Sequence, residues 1–419
     1  MTRPDTYPKV HAFLEDLCQK IQQPAGGLFD YPSLNTTSGI FYSACIFTWD
    51  SHHMTLKFAA DGHPEQMKYL LYTILKFQRS NGFTPCCCNS TDGGDIYPGF
   101  HAQPWLCQNA ATYLHLTNDM ATVTELYPKL EAYLTYWLQN FKAPYGLYRW
   151  AEAWMSGFDN EICGQTFPVG SICSPDLSAL LYLECRAFAY VSRRLGKPDA
   201  DWEEQARAIA EAVNAKLWDE KLGCYGAYNL IDDCLQISWR DPYQDTLTGI
   251  VGKYAFLSCP ALMVLFAGIA PTDRAERMIR EYVLSPKHFR SRFGIRSISA
   301  SSEFYNNARW GNGPRFGSDW RRLEGSNWQG PVWIPLNWFV FHALLRYGFR
   351  DEAASLADDT VNLVAHALDT VGFMRENFHA ETGEPLYADN FASWNTLADV
   401  LHRYLDNESG LPELFPDER

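Results

Sequence analysis

Two acidic residues far apart in the chain, Asp159 and Glu376, stand in stretches too rich in aromatic and amide side chains for ordinary tight turns. Asp159 belongs to Trp150-Ala151-Glu152-Ala153-Trp154-Met155-Ser156-Gly157-Phe158-Asp159-Asn160. Glu376 belongs to Phe373-Met374-Arg375-Glu376-Asn377-Phe378-His379-Ala380-Glu381-Thr382-Gly383-Glu384, where Thr382-Gly383 reads as a turn. Cleaving a glycosidic bond needs two such carboxyls on opposite sides of one carbon. One is protonated and releases the leaving oxygen, while the other is charged and activates water or attacks. A single Asp or Glu is far more often a cap or half of a surface ion pair; two in Trp-rich loops bring the catalytic reading level with that one.

Three further segments carry polar groups beside flat rings. Phe47-Thr48-Trp49-Asp50-Ser51-His52-His53 precedes a helix, so Asp50 or Ser51 could simply cap it. Pro98-Gly99-Phe100-His101-Ala102-Gln103-Pro104-Trp105 also enters a helix. The stretch from Arg309 through Trp310, Arg315, Trp320, Arg321 and Arg322 to Trp333 contains Asn327-Trp328-Gln329-Gly330-Pro331-Val332-Trp333. With 14 Trp, 23 Tyr and 25 Phe the chain has aromatic residues beyond the needs of a core. Rings flanked by hydrogen-bonding side chains suit sugars, which present an apolar CH face and a hydroxyl rim.

Elements must bring these segments together, and their period is helical. From Trp202 the apolar positions Ala206, Ile209, Ala210, Val213 and Leu217 form a 3.6-residue stripe; Leu130, Leu134, Trp137, Leu138 and Phe141 form another, with Pro128 expected at a first helical position. Leu356, Val361, Val364 and Leu368 form a third. The pattern predicts helices at 8–22, 51–61, 64–80, 103–117, 127–141, 175–195, 199–217, 255–268, 271–283, 333–347, 351–370 and 391–405. Short Gly-, Asp- or Pro-containing links pair them, and long Gly- and Trp-rich links separate the pairs. Six such hairpins closing on themselves make an all-α (α/α)6 toroid, here expected as one domain over 1–419 with functional loops at one end. An open solenoid would need a fixed repeat that the loops lack.

Composition narrows the function classes. Thirty-five Lys and Arg against 49 Asp and Glu give a net charge of -14. Such a surface disfavours nucleic acid and anionic membranes, which need a basic face. No apolar run approaches the ~18 residues of a membrane span, and no leader is visible at the N-terminus, so a cytoplasmic location is expected. The 12 cysteines include no CxxC pair, and Cys86-Cys87-Cys88 point alternately on an extended chain, so buried reduced thiols are expected and no metal site. There is no phosphate-binding glycine loop. Asp92-Gly93-Gly94-Asp95 reads as a turn with too few ligands for Ca²⁺. No cofactor is expected, the partner is a small carbohydrate, and homo-oligomerisation stays open.

These segments carry a resemblance. Ser156-Gly157-Phe158-Asp159-Asn160 resembles the Glu-Ser-Gly-x-Asp-Asn signature of glycoside hydrolase family 63, shared in outline with trehalase-type enzymes. Asn327-Trp328-Gln329-Gly330-Pro331-Val332-Trp333 is similar to that family's Trp-Arg-Gly-Pro-(Val/Ile)-Trp stretch. Arg375-Glu376-Asn377-Phe378 with Thr382-Gly383 is similar to its Tyr-Glu-Asn-Tyr…Thr-Gly segment, and Trp49-Asp50-Ser51 and Trp394 also fit. The motifs keep the family's order across residues 47–400. The resemblance implies an inverting (α/α)6 hydrolase with Asp159 as general acid and Glu376 as general base, an arrangement that spaces the carboxyls ~6.5–9.5 Å apart. It implies a sugar subsite of Trp49, Asp50, Gln103, Trp105, Glu152, Trp328, Gly330 and Trp333.

Met155 and Glu161 depart from the pattern, as does Gln329 in place of Arg, and Glu152 becomes the acid if the loop is shifted. Glu324 is a weaker candidate for the base. The chain's length is similar to that of the compact bacterial mannosylglycerate and glucosylglycerate hydrolases. Arg315 and Arg321, with Arg309 and Arg322, would then grip a glycerate carboxylate bidentately, unless they neutralise the protein's own acids. Two other classes remain: a sugar epimerase or isomerase using His52, His53, His101 and His379, and a sugar-binding protein without catalysis.

Overall fold

The structure, a computed structural model, describes residues 3–39, 42, 45–94, 97–239, 252–308 and 326–412. Helices dominate it. They are α1 (Tyr7–Ile21), α2 (Thr48–Ala60), α3 (Glu65–Lys76), α4 (Leu106–Thr117), α5 (Met120–Asn140), α6 (Ile162–Thr166) and α7 (Pro175–Arg194). Then follow α8 (Ala200–Lys216), α9 (Leu262–Ala267), α10 (Thr272–Met278), α11 (Ile334–Arg346), α12 (Arg350–Val371) and α13 (Val400–Leu405). Each helix expected from the apolar period has a counterpart. The short α6 and a set of small antiparallel strand pairs lie outside that expectation.

Local chemistry moves several boundaries. The α5 helix begins eight residues before Pro128, which therefore lies inside it and not at its first position. Asp119 starts the helix: Oδ1 accepts from the Thr122 N–H at 3.1 Å and Oδ2 from the Thr122 hydroxyl at 2.6 Å. Burial of Val123, Leu126 and Tyr127 carries the helix across the hydrogen bond that proline removes. The α2 helix starts at Thr48, with Phe47 as its N-cap residue and no side-chain cap, so neither Asp50 nor Ser51 caps it. Both instead lie in the first turn, buried.

The chain forms two compact units, each assembled from separated segments. The first comprises Met1–Asn140, Leu180–Ala208 and Ala388–Arg419; the second comprises Phe141–Ala179 and Ile209–Tyr387. In the first unit α2 packs on α3, α4 on α5, and α2 also on the 3₁₀ turn Ser393–Asp399. In the second, α11 packs on both α12 and α9. Eleven of the twelve cysteines are buried, with Cys234 the exposed one. Cys87 and Cys88 lie on a strand paired with Cys45–Phe47, opposite Phe47 and Ile46 respectively. Asp92 makes the expected turn, its Oδ1 accepting from the Gly94 N–H and the Asn89 amide. No helix among the described residues is long and apolar enough to cross a membrane.

One buried ion network fixes the first unit. The fully buried Lys57 ammonium of α2 donates to Asp399 at 3.1 Å, Asp61 at 3.0 Å and Glu15 of α1 at 2.9 Å. Burial alone would discharge it; Asp399 and Asp61 more than offset that, and its pKa is raised. Asp399 is fully buried and also meets His11 Nδ1 at 2.6 Å, while Arg403 of α13 reaches Asp61. Lys57→Met would leave the Asp399 carboxylate buried without its main counter-charge. A loss of about 3–5 kcal/mol is expected, read as a lower urea midpoint; an unchanged midpoint would mean that the network contributes nothing net.

Candidate active site

The loop bearing Asp159 is shaped before any long-range contact acts. A 3₁₀ turn, Ala153–Ser156, is closed by the Ser156 hydroxyl, which donates to Ala153 O at 2.7 Å and accepts from the Phe158 N–H at 3.0 Å. Gly157 follows at φ 82°, a left-handed conformation that costs glycine nothing and turns the chain toward Asp159. Phe158 is buried and packs edge-on against Trp328, centroids 4.8 Å apart.

Asn160, wholly buried, locks this loop to the segment Asn327–Trp333. Its Oδ1 accepts from the Trp328 N–H at 2.6 Å, its Nδ2 donates to Asn327 Oδ1 at 3.2 Å, and its carbonyl accepts from Gln329 Nε2 at 2.8 Å. Ser326 donates its hydroxyl to Asp159 Oδ2. On its far side the same segment holds the strand of Glu376: Val332 N–H donates to Phe378 O at 2.8 Å, and Phe378 N–H donates back at 2.9 Å. Arg296 pairs with the other edge of Val332. Asp159 and Glu376 are thus each tied to one short stretch of the second unit.

The acids of this unit differ in access. Asp159 is half-buried; desolvation raises its carboxyl to about 6, with the Ser326 hydrogen bond pulling the other way. Glu376 is 4% exposed on the strand Arg375–Phe378. Glu152 is exposed at the N-cap of the 3₁₀ turn. Two buried acids not singled out from sequence lie nearby in the chain. Glu161 caps α6 and accepts from Ser258, and Asp176, raised by desolvation to about 6, accepts from the Trp150 indole at 3.0 Å. At 6% and 1% exposure these two are as buried as Glu376, whereas Asp159 keeps a partly open edge.

The indoles of Trp328 and Trp333 stack on each other, centroids 3.8 Å apart and 7° from parallel, and Trp333 Nε1 donates to Asn327 O at 2.9 Å. At 1% and 0% exposure the two rings are buried, and their stack braces the loop. Gly330 is required by close packing, because a Cβ there would lie 1.8 Å from the Asn306 carbonyl oxygen. Its N–H donates to Ser297 Oγ at 2.9 Å.

The first unit gathers a second cluster. Trp105 stacks on His52 at 4.7 Å and meets Trp49 edge-on at 5.5 Å. Asp50 Oδ1 accepts from the Ser393 hydroxyl at 2.6 Å, and Ser393 is held at φ 31°. Tyr133 donates to Gln103 O at 2.7 Å and Trp137 to Ala102 O at 2.9 Å, which pins the loop before α4. Glu184 takes over the capping of that helix, accepting from the N–H groups of Cys107 and Gln108 at 2.9 and 3.0 Å. The histidines have structural duties. His53 bonds Trp49 O, His101 Nδ1 accepts from Thr84 N–H, and His379 Nδ1 accepts from the N–H groups of Glu381 and Thr382. Burial pushes His53 down to about 4 and His101 to about 3, so both stay neutral. Arg309, Arg315, Arg321, Arg322 and Glu324 lie outside the described residues.

Similarity to known proteins agrees with this architecture. The model of the mannosylglycerate hydrolase MGH1-like glycoside hydrolase domain matches residues 44–394. The mannosylglycerate hydrolase of Rubrobacter radiotolerans is 30% identical over 224 residues, 52% of this chain and 42% of that protein. The alignment therefore spans less than half of the relative's length. The crystal structure of GH63 mannosylglycerate hydrolase from Thermus thermophilus in complex with glucose matches with TM-score 0.71 at 18% identity, over 94% of this chain and 100% of that one. Neutral trehalase from Saccharomyces cerevisiae matches at TM-score 0.64 and 14% identity, over 92% of this chain and 76% of that one. At these identities the likeness to the solved structures is one of fold.

Gly330→Ala tests the rigidity of the connecting segment. Because the obstacle is backbone, a destabilisation of about 1–3 kcal/mol is expected, measured by urea unfolding. A midpoint equal to the parent's would mean that Asn306 has room to yield.

Proposed function

The chain belongs to the mannosylglycerate hydrolase MGH1-like glycoside hydrolase family, and on that premise we propose that it hydrolyses a small α-mannoside or α-glucoside with inversion at the anomeric carbon. Asp159 is the general acid and Glu376 the general base in this reading. Protonated Asp159 gives its proton to the glycosidic oxygen as the C–O bond breaks. Glu376 takes a proton from the water that attacks the opposite face, so the sugar leaves as the β-anomer. The observation that carries the reading is the shared anchor: the loop of Asp159 and the strand of Glu376 are bonded to the two flanks of Asn327–Trp333.

The electrostatics support the division of labour. Burial raises the Asp159 carboxyl to about 6 against the pull of the Ser326 hydrogen bond, so it keeps its proton above the ordinary carboxyl range, as an acid catalyst needs. Trp49, Asp50, Gln103 and Trp105, buried in the first unit, are proposed as sugar-binding residues on the resemblance alone. Glycerate as the leaving group is supported by relatives: the Rubrobacter radiotolerans protein is named mannosylglycerate hydrolase, and a Thermus thermophilus structure is described in complex with Tris and D-glycerate. No cofactor is required by this chemistry.

The test is anomeric proton NMR on mannosylglycerate, glucosylglycerate and glucose disaccharides. The β-sugar is expected first, and initial release of α-sugar would refute inversion. Asp159→Asn and Glu376→Gln should each lower kcat by about 10²–10⁴-fold without loss of the fold by circular dichroism; wild-type turnover in either removes that residue from the mechanism.

The pH dependence has a fixed sign. Asp159 works only when protonated, so on the alkaline side kcat/KM is lost as pH rises through about 6. Ser326→Ala removes the hydrogen bond that favours the carboxylate. The alkaline limb should therefore move up, by ~1 pH unit or less; a downward move or none would mean that another group sets it.

A further inference from the structure

Glu376 lies on the first strand of a hairpin, paired with Pro385–Asp389 on one flank and bridged at Phe378 to Val332 on the other. The turn that follows, His379–Glu384, is held from a third direction. Arg296, buried on the strand that borders Val332, sends Nε and Nη2 to Glu381 Oε1 at 3.0 and 2.9 Å. Its Nη1 donates to the carbonyls of Pro286 and His288 at 3.2 and 3.3 Å, and to that of Arg290. All three guanidinium nitrogens are thus engaged, which restrains the orientation of the group. Tyr305 donates its hydroxyl to the same Glu381 oxygen. Asn307 completes the set: its Nδ2 donates to Tyr305 Oη at 2.9 Å and its Oδ1 accepts from the Ala380 N–H at 2.7 Å. These contacts converge on residues 380 and 381, a few positions beyond Glu376.

We propose that Arg296, Glu381 and Tyr305 form a positioning clamp that fixes the turn following Glu376 and so holds its carboxylate in register for water activation. The inference rests on Glu376 being the general base. None of the three touches substrate in this reading; they act through the strand. The geometry suits that role. Val332 fixes the strand's height at Phe378 by two backbone bonds, and the clamp removes the remaining freedom at its turn. A base must be held to within ~0.5 Å to take a proton in the transition state. Arg296 spans the ribbon Arg296–Val332–Phe378, so the part of the chain that frames Glu376 on one side grips its turn on the other.

The test uses substrates that need the base and not the acid. In α-mannosyl and α-glucosyl fluoride the C–F bond breaks unaided as fluoride leaves, water oxygen bonds to the anomeric carbon, and the water's proton goes to Glu376. Glu381→Gln and Tyr305→Phe are assayed on whichever fluoride is turned over and on the natural glycoside, beside Glu376→Gln and with thermal melting of each. The expected result is a fall in kcat of about 10-fold or more, equal on both substrates, with KM within twofold and Tm within a few degrees. A loss on the glycoside that vanishes on the fluoride would place the effect at the acid and overturn the clamp, as would an unchanged kcat in both variants. If Glu381→Gln melts early, Tyr305→Phe decides, since it removes one hydroxyl. Full activity in Glu376→Gln would fail the functional reading itself, whereas an inactive Glu376→Gln beside unaltered clamp variants would fail only this inference.

Discussion

Everything in the second unit turns on a stretch of backbone, Asn327–Trp333, whose two flanks are both consumed by hydrogen bonds. Asn160 satisfies it on one side with three bonds, and Phe378 satisfies it on the other with two. All of these groups are buried, so leaving any of them unpaired would cost more than the bond itself contributes. That asymmetry gives the arrangement its stiffness: the segment cannot slide against either neighbour without abandoning a buried polar atom. Asp159 and Glu376, 217 positions apart (376 − 159), thereby inherit a fixed frame from a ruler only seven residues long. The stacked Trp328–Trp333 pair and the close approach of Gly330 to Asn306 thicken that ruler with packing.

Buried acids are held in two ways. In the first, Asp399 is buried beside a buried ammonium and stays part of an ion network. In the second, desolvation is the dominant influence on Asp159, Glu161 and Asp176, and all three carboxyls are raised. The consequence for stability has a definite sign. Asp159 binds its proton more tightly folded than unfolded, so the folded state loses stability as pH rises from the ordinary carboxyl value of 3.8 toward about 6.

How much of this is legible in the sequence depends on whether the signal is local. The stripes at Ala206–Leu217 and Leu356–Val364 announce their helices because period and burial are local properties. Pro128 misleads for the same reason: a proline is read as a beginning, yet Asp119 has already started that helix. The Asp159 and Glu376 loops stand out by their unusual neighbours. Ser326, Asn160 as a hub, Ser393 and Arg296 do not, since their meaning lies in partners far away in the chain and no motif surrounds them. The surplus of tryptophan is plain in the composition, but its use is not. Composition cannot tell where a ring will stack, and Trp328 and Trp333 stack on each other.

The positions at which the chain departs from its family's pattern bear on the acid's proton. Where related motifs carry arginine, Gln329 is wholly buried and donates to the carbonyl of Asn160, the residue next to Asp159. A guanidinium there would bring a positive charge toward the acid and favour its ionised form. The neutral amide supplies the hydrogen bond without the charge, and desolvation is left to raise the carboxyl. Glu161, standing where a serine is usual, is itself turned inward: one oxygen caps α6 through Gly164 and the other accepts from Ser258 at 2.5 Å. Both departures therefore act on the loop from behind. Asp159 keeps the partial exposure that Glu161 lacks, and burial and the Ser326 hydroxyl pull its proton affinity in opposite directions.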